Sequence, residues 1–409
     1  MTGFIPFFIV LVAGLVLSGV LKKFHLPWVI TLILAGILIG PHTFGIVAVD
    51  STLTFLGDIG LIFLMFMAGL EVKFSSMRGR AGRGMWTIAI VNGLVPFGIG
   101  FGIAMTFGYS MLASLLVGTI LMSSSVAVVI PILERTKLLH QKIGQWIIGS
   151  TAIQDVTSLV IMAAVLRLAD PDTALPLWLF YIIAIATFII GRWVITRLWK
   201  LYIWAYPKTP SFEIELHSVV AILLGTVIIF ELLGMHGIIA GFFAGMVLSE
   251  QITHKALLAK LHTIAYGIFI PVFFVVVGLQ VDVSVFGRTS GLLLFAGLII
   301  GGSIIGKYIS GWVGGRISGL SHAESNLMGA TSIPQLSTTL AAVIAGYELG
   351  VFNEEMIVVM TMLSVITTFT SPLVIEHIVK RMSFKRSDLV TIKEEDSSND
   401  DTSTTTPSE

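Results

Sequence analysis

The residues best placed to do chemistry are Gln154 and Asp155, within Gly149-Ser-Thr-Ala-Ile-Gln-Asp-Val-Thr-Ser158, in an apolar run from about Gly144 to Arg167. A carboxylate at the centre of a membrane helix costs about 2.5–3.5 kcal/mol on insertion scales, so it faces a watery cavity or a partner. Handling an ion or a proton is its default use, and a packing Asp tied off by a neighbour is the bland alternative. Thr151, four residues earlier, is a further candidate ligand.

Two other polar stretches interrupt apolar runs. Ser123-Ser124-Ser125 sits in the middle of the run 110–131, and Thr331-Ser332-Ile333-Pro334-Gln335 in the middle of 325–347. Pro334 removes a backbone donor and disfavours helix at Ile333, so a break is expected there. Broken backbone inside a membrane has to line a cavity or be buried in protein, because lipid satisfies none of its polar groups. Its half-helix ends would offer carbonyls to a cation and positive dipole ends to a carboxylate. Serines bonding back to the preceding turn are the alternative. Lys307, in Ile304-Ile305-Gly306-Lys307-Tyr308-Ile309, is the second charge that lipid should not see. It reads either as the ion-pair partner of Asp155 or as a lysine snorkelling toward the interface near Trp312.

The elements positioning these residues are membrane helices. The chain is 55% hydrophobic and 12% charged over 409 residues, with a mean hydropathy of +0.95, outside the range of soluble domains. With zero cysteines, disulfides, thiolate nucleophiles and Cys-ligated metals are excluded, and no basic patch supports nucleic-acid binding. Apolar runs fall at about 4–21, 27–41, 52–70, 86–107, 110–131, 144–167, 176–198, 216–234, 236–249, 262–280, 291–312, 325–347 and 355–378. Most approach the ~20 residues that a spanning helix needs. The expected fold is an all-α membrane protein with about 13 transmembrane helices. The first run lacks a basic leader and a small-residue cleavage site, and reads as a retained helix.

Of 24 Lys and Arg, only Arg167, Arg288 and Lys307 fall outside one alternating set of loops and adjoining helix ends. That set begins at Lys22-Lys23 and includes Lys73, Arg78, Arg80 and Arg83. The positive-inside rule makes it cytoplasmic, with the N-terminus outside and the C-terminus inside a multi-pass protein of the cell membrane.

An internal repeat appears at an offset of 209 residues. Leu34-Ala-Gly-Ile-Leu38 answers Phe243-Ala-Gly-Met-Val247, and Ala68-Gly-Leu-Glu-Val72 answers Val277-Gly-Leu-Gln-Val281. Six runs precede the linker helix 176–198 and six follow it, giving repeats of about 4–167 and 216–378. An odd number of helices between equivalent positions inverts the second half relative to the first, a plan that places binding sites near the bilayer midplane. Under this offset Ser123 maps onto Ser332, Asp155 onto Ser364 and Lys307 onto Gly98, so the charged pair is not repeated.

Asp58, Glu71, Glu134, Glu231, Glu250 and Asp282 lie towards run ends and read as anchors or salt bridges, with Asp58 the best candidate for an ion vestibule. The nine histidines lie in loops or near helix ends without metal-ligand spacing, and His254 and His262 are weak candidates for pH sensing. No cofactor is implied. After about residue 380 the chain turns polar, and 381–409 is expected to be a disordered cytoplasmic tail.

Residues 1 to 380 resemble the monovalent cation:proton antiporters of the second cation:proton antiporter family. The resemblance rests on Phe66-Met-Ala-Gly-Leu-Glu71, Ser150-Thr-Ala-Ile-Gln-Asp155, His236-Gly-Ile-Ile-Ala-Gly-Phe-Phe-Ala-Gly245 and Pro271-Val-Phe-Phe-Val-Val-Val-Gly-Leu279 with Asp282. It implies a homodimer in which each protomer has a core domain with two crossed broken helices and a more rigid dimerisation domain. The family's ion-binding Asp falls on Asp155 and its embedded Lys on Lys307. Electrogenic members tend to carry two adjacent acids where this chain has Gln154-Asp155, a form similar to the glutathione-gated potassium efflux branch and to some sodium or potassium exchangers. That branch carries a nucleotide-binding domain, whereas this chain runs into its polar tail, so any gating domain would come from a separate cytosolic subunit.

The mechanism expected is exchange of Na+ or K+ for H+ by alternating access at Asp155. Ser124, Ser125, Thr151, Gln154, Ser332, Gln335 and carbonyls of the broken helices assist it, and proton and cation compete for one carboxylate. With one acid present, electroneutral one-for-one exchange is favoured. Two rivals are weighed against it. A sodium-coupled symporter of an organic anion would need a membrane-centre basic residue besides Lys307, and an intramembrane aspartyl protease would need two facing acids.

Overall fold

A computed structural model of the chain describes residues 4–21, 28–71, 80–139, 141–169, 177–205, 212–232, 237–249, 251–252, 255–282, 284, 287 and 291–400. The basic residues Lys22, Lys23, Lys73, Arg78 and Arg288, together with His236, Glu250, His254 and the last stretch of the tail from Asp401, lie outside the described residues.

Among the described residues the fold is all helical. In chain order the helices are α1 (Phe4–Leu21), α2 (Trp28–Ile39), α3 (Ser51–Glu71), α4 (Arg80–Thr106), α5 (Met111–Met122), α6 (Val126–Arg135), α7 (Lys142–Ala169) and α8 (Leu177–Ala205). They continue with α9 (Phe212–Leu232), α10 (Gly237–Leu248), α11 (Lys255–Ile264), α12 (Ile270–Leu279), α13 (Leu292–Ile317), α14 (His322–Thr331), α15 (Ser337–Glu348) and α16 (Glu354–Asp400). A π-helical turn, Ala265–Phe269, joins α11 to α12. Seven stretches among the described residues are long and apolar enough to cross a membrane. Large apolar side chains such as Phe4, Phe8, Ile189, Trp193, Leu232, Leu293 and Ile305 stand exposed on outer faces, as they do where lipid is the solvent.

Both expected breaks are present. The run 110–131 splits into α5 and α6 around Ser123–Ser125, and the run 325–347 splits into α14 and α15 around Ser332–Leu336. The last helix, α16, runs from Glu354 to Asp400 and takes in the first part of the polar tail.

The helices pack as two bodies. In one, α2 lies against α12 and α3 against α10, with α1 and α9 alongside. In the other, α4 packs on α13, α5 and α7, and α14 on α13 and α16. Backbones touch within the first body. A Cβ at Gly36 would strike the carbonyl of Val275 and one at Gly278 that of Ile33, while one at Gly69 would strike the carbonyl of Phe242 and one at Gly245 that of Phe66. Small residues permit this approach in membranes, where packing rather than the hydrophobic effect holds helices together.

These contacts are related by the 209-residue offset. Gly36 with Gly278 becomes Gly245 with Gly69, and Gly60, which approaches the carbonyl of Phe269, pairs with its own equivalent. Overpacking a tight core costs about 1–3 kcal/mol. Gly69→Val should therefore lower the midpoint of thermal unfolding in detergent. Gly98→Val, at a position where an added Cβ would meet nothing within 4 Å, should leave that midpoint near the value of the parent protein.

Candidate functional site

The site lies where the two interrupted helices cross. The extended residues Ser123 (φ −76°, ψ 164°) and Ser125 (φ −94°, ψ 108°) separate α5 from α6. Backbone groups freed here are satisfied by the other interrupted helix. The Ser125 N–H donates to the Pro334 carbonyl at 2.7 Å, the Ser124 hydroxyl donates to the Ser332 carbonyl at 2.9 Å, and the Gln335 amide donates to the Leu121 carbonyl at 3.3 Å. Thr367 on α16 braces the junction by accepting from the Gln335 N–H at 3.2 Å. Ser125 and Pro334 are themselves separated by 209 residues in sequence, as are Gly60 and Phe269.

On one side of the crossing lies Lys307, fully buried at 0% exposure. Its ammonium donates to the Met122 carbonyl at 2.5 Å, the Ser124 hydroxyl at 2.9 Å, the Gln154 Oε1 at 3.1 Å and the Asn92 carbonyl at 3.3 Å. Asp155 is not among these hydrogen-bond partners, which are all neutral oxygens, and it acts on the lysine as a nearby charge and not through a direct bond. The helix explains it. Adjacent residues on an α-helix diverge by about 100°, and α7 turns Gln154 toward Lys307 and Asp155 away from it. The carbonyl end of α5 also carries negative partial charge and favours a cation there.

Asn92, in the middle of α4, ties this side together. Its amide donates to the Ser332 hydroxyl at 2.8 Å and to Gln154 Oε1 at 3.4 Å, and its Oδ1 accepts from the Ser310 hydroxyl at 2.8 Å. Asn92 and Ser310 are absent from the expectations drawn from sequence, although an amide inside the run 86–107 is a visible signal.

Asp155, 9% exposed, faces a cavity on the other side. Its Oδ1 is buried without a hydrogen-bond partner, as is the neighbouring Ser125 hydroxyl. Leu64, Ala68 and Glu71 of α3, Ser124 and Ser125 at the break, Ile148 and Ala152 of α7, Tyr266 of the π turn, and Ser337 and Thr338 at the start of α15 complete the walls. The N-terminal ends of α6 and α15 thus border the carboxylate, an arrangement that stabilises negative charge. The cavity offers a free volume of about 20 Å³, and one water needs roughly 10–15 Å³, so a single small occupant fits.

The expected ligands divide accordingly. Ser124 and Ser125 line the cavity with Asp155, whereas Gln154 belongs to the Lys307 side. Ser332 and Gln335 fasten the crossing, and Thr151 is buried on α7 without contributing to the walls. Asp58 lies elsewhere, in a cavity of about 250 Å³ with Glu231, Gly237 and Glu348. Asp282 behaves as an anchor, facing His42 at 3.5 Å. Sequence reasoning misses Tyr266, Ser337 and Thr338, and it takes Glu71 for an end-of-helix anchor. No spacing in the sequence announces the π turn that carries Tyr266.

A helical membrane bundle with one carboxylate at the crossing of two broken helices is built as an ion-coupled transporter. Comparison with known proteins agrees. The family model described as "Sodium/hydrogen exchanger, transmembrane" matches residues 7–381, and the chain belongs to that family, whose members are transporters and not enzymes. It is 33% identical over 377 residues to the probable Na(+)/H(+) antiporter 3 of Methanocaldococcus jannaschii, covering 91% of this chain and 95% of that protein. It is 27% identical over 382 residues to the Na(+)/H(+) antiporter of Enterococcus hirae, covering 91% and 97% respectively. In fold it is similar to the solved structure of the sodium proton antiporter MjNhaP1 from Methanocaldococcus jannaschii, with a TM-score of 0.67, 17% identity, and coverage of 91% of this chain and 96% of that one.

Removing the lysine should show how much the neutral cage depends on it. Lys307→Met removes the donor shared by the Met122 carbonyl, the Ser124 hydroxyl and Gln154 Oε1; Ser124 still donates to Ser332 and Gln154 still accepts from Asn92, whereas the Met122 carbonyl at the end of α5 loses its side-chain donor, at about 1–3 kcal/mol for a group left unsatisfied. The variant should unfold at a clearly lower temperature than the parent in detergent. An unchanged midpoint would mean that the cage is satisfied without the ammonium.

Proposed function

We propose that this protein exchanges a monovalent cation, sodium in the first instance, for a proton across the cell membrane, with both competing for Asp155. The carrying observation is the buried carboxylate whose Oδ1 has no partner and which lines a cavity sized for one small occupant. A bare cation there would be bound by Asp155 together with oxygens of Ser124 and Ser125. A proton on the same carboxylate removes the charge that holds the cation. Neutralised by either, the site can be carried through the low-dielectric barrier, whereas the empty charged site stays put because desolvation opposes its passage.

The geometry supports alternating access. The cavity lies along the seam between the two helix bodies, with Leu64, Ala68, Glu71 and Tyr266 on one and Asp155, Ser124, Ser125, Ser337 and Thr338 on the other. Sliding of one body along this seam would bring Asp155 from one face to the other. The contacts that pair under the 209-residue offset support an inverted repeat and thirteen crossings, with the basic loops in the cytoplasm. The sodium named for the relatives supports sodium as cargo, and room for one small occupant beside Asp155 supports one ion per cycle. The small cavity works against an organic anion as cargo.

The lysine bears on stoichiometry. Because the hydrogen bonds of Lys307 go to neutral oxygens, a cation binding at Asp155 breaks none of them, which favours a lysine that keeps its proton through the cycle. One proton then returns for each cation and no net charge moves. Asp155→Asn should abolish exchange in everted vesicles while the protein still inserts and unfolds cooperatively, and Asp155→Glu should retain part of the activity. pH-dependent exchange persisting in the Asn variant would overturn the assignment. In liposomes with an imposed potential, the reversal point should follow the cation and proton gradients alone. A second proton would add about 2.3 kcal/mol per 100 mV and move that point with the potential.

A further inference from the structure

Four oxygens surround the Lys307 ammonium at 2.5–3.3 Å, and each is turned toward it by something other than the lysine. The Asn92 carbonyl, in the middle of α4, would ordinarily accept from the backbone N–H four residues on. That residue is Pro96, which has no N–H to give. Met122 is the last residue of α5, so its carbonyl is among those that a helix end leaves over. The Ser124 hydroxyl gives its proton to the Ser332 carbonyl at 2.9 Å and presents a lone pair to the lysine. Gln154 Oε1 accepts from the Asn92 amide at 3.4 Å, which turns its oxygen inward, while its Nε2 stays buried with no hydrogen-bond partner among the described residues.

The acceptors therefore form a cage whose polarity is set in advance. All four belong to residues 92–154, whereas the ammonium reaches in from α13. Rings of neutral oxygens of this kind replace the hydration shell of a bare monovalent cation, and the carbonyl end of α5 adds negative partial charge. The oxygens stand mostly farther off than the ~2.3–2.6 Å at which they hold calcium, an ion close to sodium in size. Their spacing suits a larger ion.

We infer that this cage is a monovalent-cation site, of a size for potassium or ammonium, which the chain keeps filled with its own tethered ammonium. The site is distinct from Asp155, whose Oδ1 faces the cavity on the other side of the crossing, and the inference goes beyond the exchange reading without resting on it. Ser124 borders both spaces, so an ion that reaches the cavity has a way into the cage once the lysine is shortened. With the tether in place, the crossing takes this positive charge from the chain and not from solution.

A lysine kept only for its N–H groups makes a different prediction, because potassium and rubidium carry charge but no donors. Lys307→Ala, purified in detergent, should gain thermal stability in a saturable way as potassium, rubidium or ammonium replaces choline at constant ionic strength, as a protein does when a ligand binds its folded state. The gain is measured over that of the parent and of Lys307→Met. Both retain Asp155, and in both a long side chain occupies the path to the cage, so whatever cations do at Asp155 is common to all three. Gln154→Leu added to Lys307→Ala removes one of the oxygens and should move the potassium titration to about tenfold higher concentration. Stabilisation by ammonium alone would show a donor site and overturn the inference. So would a gain no larger than that of Lys307→Met, a potassium titration indifferent to Gln154→Leu, or a Lys307→Ala protein that fails to fold in every salt. Because the unfolding midpoint reads binding alone, exchange persisting in Asp155→Asn would sink the exchange reading and leave the cage standing.

Discussion

The structure depends on the satisfaction of backbone polar groups at a depth where lipid offers none. Two helices end in mid-bundle, and their freed donors and acceptors are closed by each other. Ser125 N–H meets the Pro334 carbonyl, Ser124 the Ser332 carbonyl, and Gln335 the Leu121 carbonyl. Each unsatisfied group in such surroundings would cost several kcal/mol. The crossing therefore has to be assembled as a unit, and polar side chains around it, among them Asn92 and Thr367, help to keep that unit closed.

Closing the crossing also sorts charge. The carbonyl end of α5 receives the ammonium of Lys307, and the amide ends of α6 and α15 border the carboxylate of Asp155. Helix dipoles and hydrogen bonds hold each charge on its own side, so lysine and aspartate work as neighbours separated by the crossing and not as a bonded pair. This separation leaves Asp155 Oδ1 facing the cavity without a hydrogen-bond partner while the lysine is ringed by oxygen acceptors. The cost of burying an ammonium is offset by oxygen acceptors around it and by the nearby carboxylate of Asp155.

The bodies on either side of the seam are packed in different ways. One is drawn together by glycines that let backbones touch, a rigid contact with no long side chains to rearrange. The other is held at its centre by a polar network of Asn92, Ser310, Ser332, Gln154 and Lys307. Between them the contact is sparse and contains the cavity. The proposed movement would run along this seam, where the two units touch least and where Asp155 lies.

Much of this was legible in the chain itself. Hydropathy required membrane helices because apolar runs near twenty residues have no other stable home. Pro334 and the serine triplet marked the breaks because proline removes a donor and serines compete for backbone groups. Asp155 stood out because a lone acid in such a run is expensive. Partnership was not legible. Whether Lys307 bonds to Asp155 or to Gln154 depends on which way α7 is rotated, and one residue of rotation exchanges the two. The place of Glu71 beside Asp155 depends on α3 packing across the seam, and the place of Tyr266 on one extra residue in a helical turn, neither of which has a local signature. The sequence by itself determined which groups must be buried, since burial follows from composition along one helix. Only the tertiary structure decided which of them meet, since that follows from the rotation and register of several helices at once.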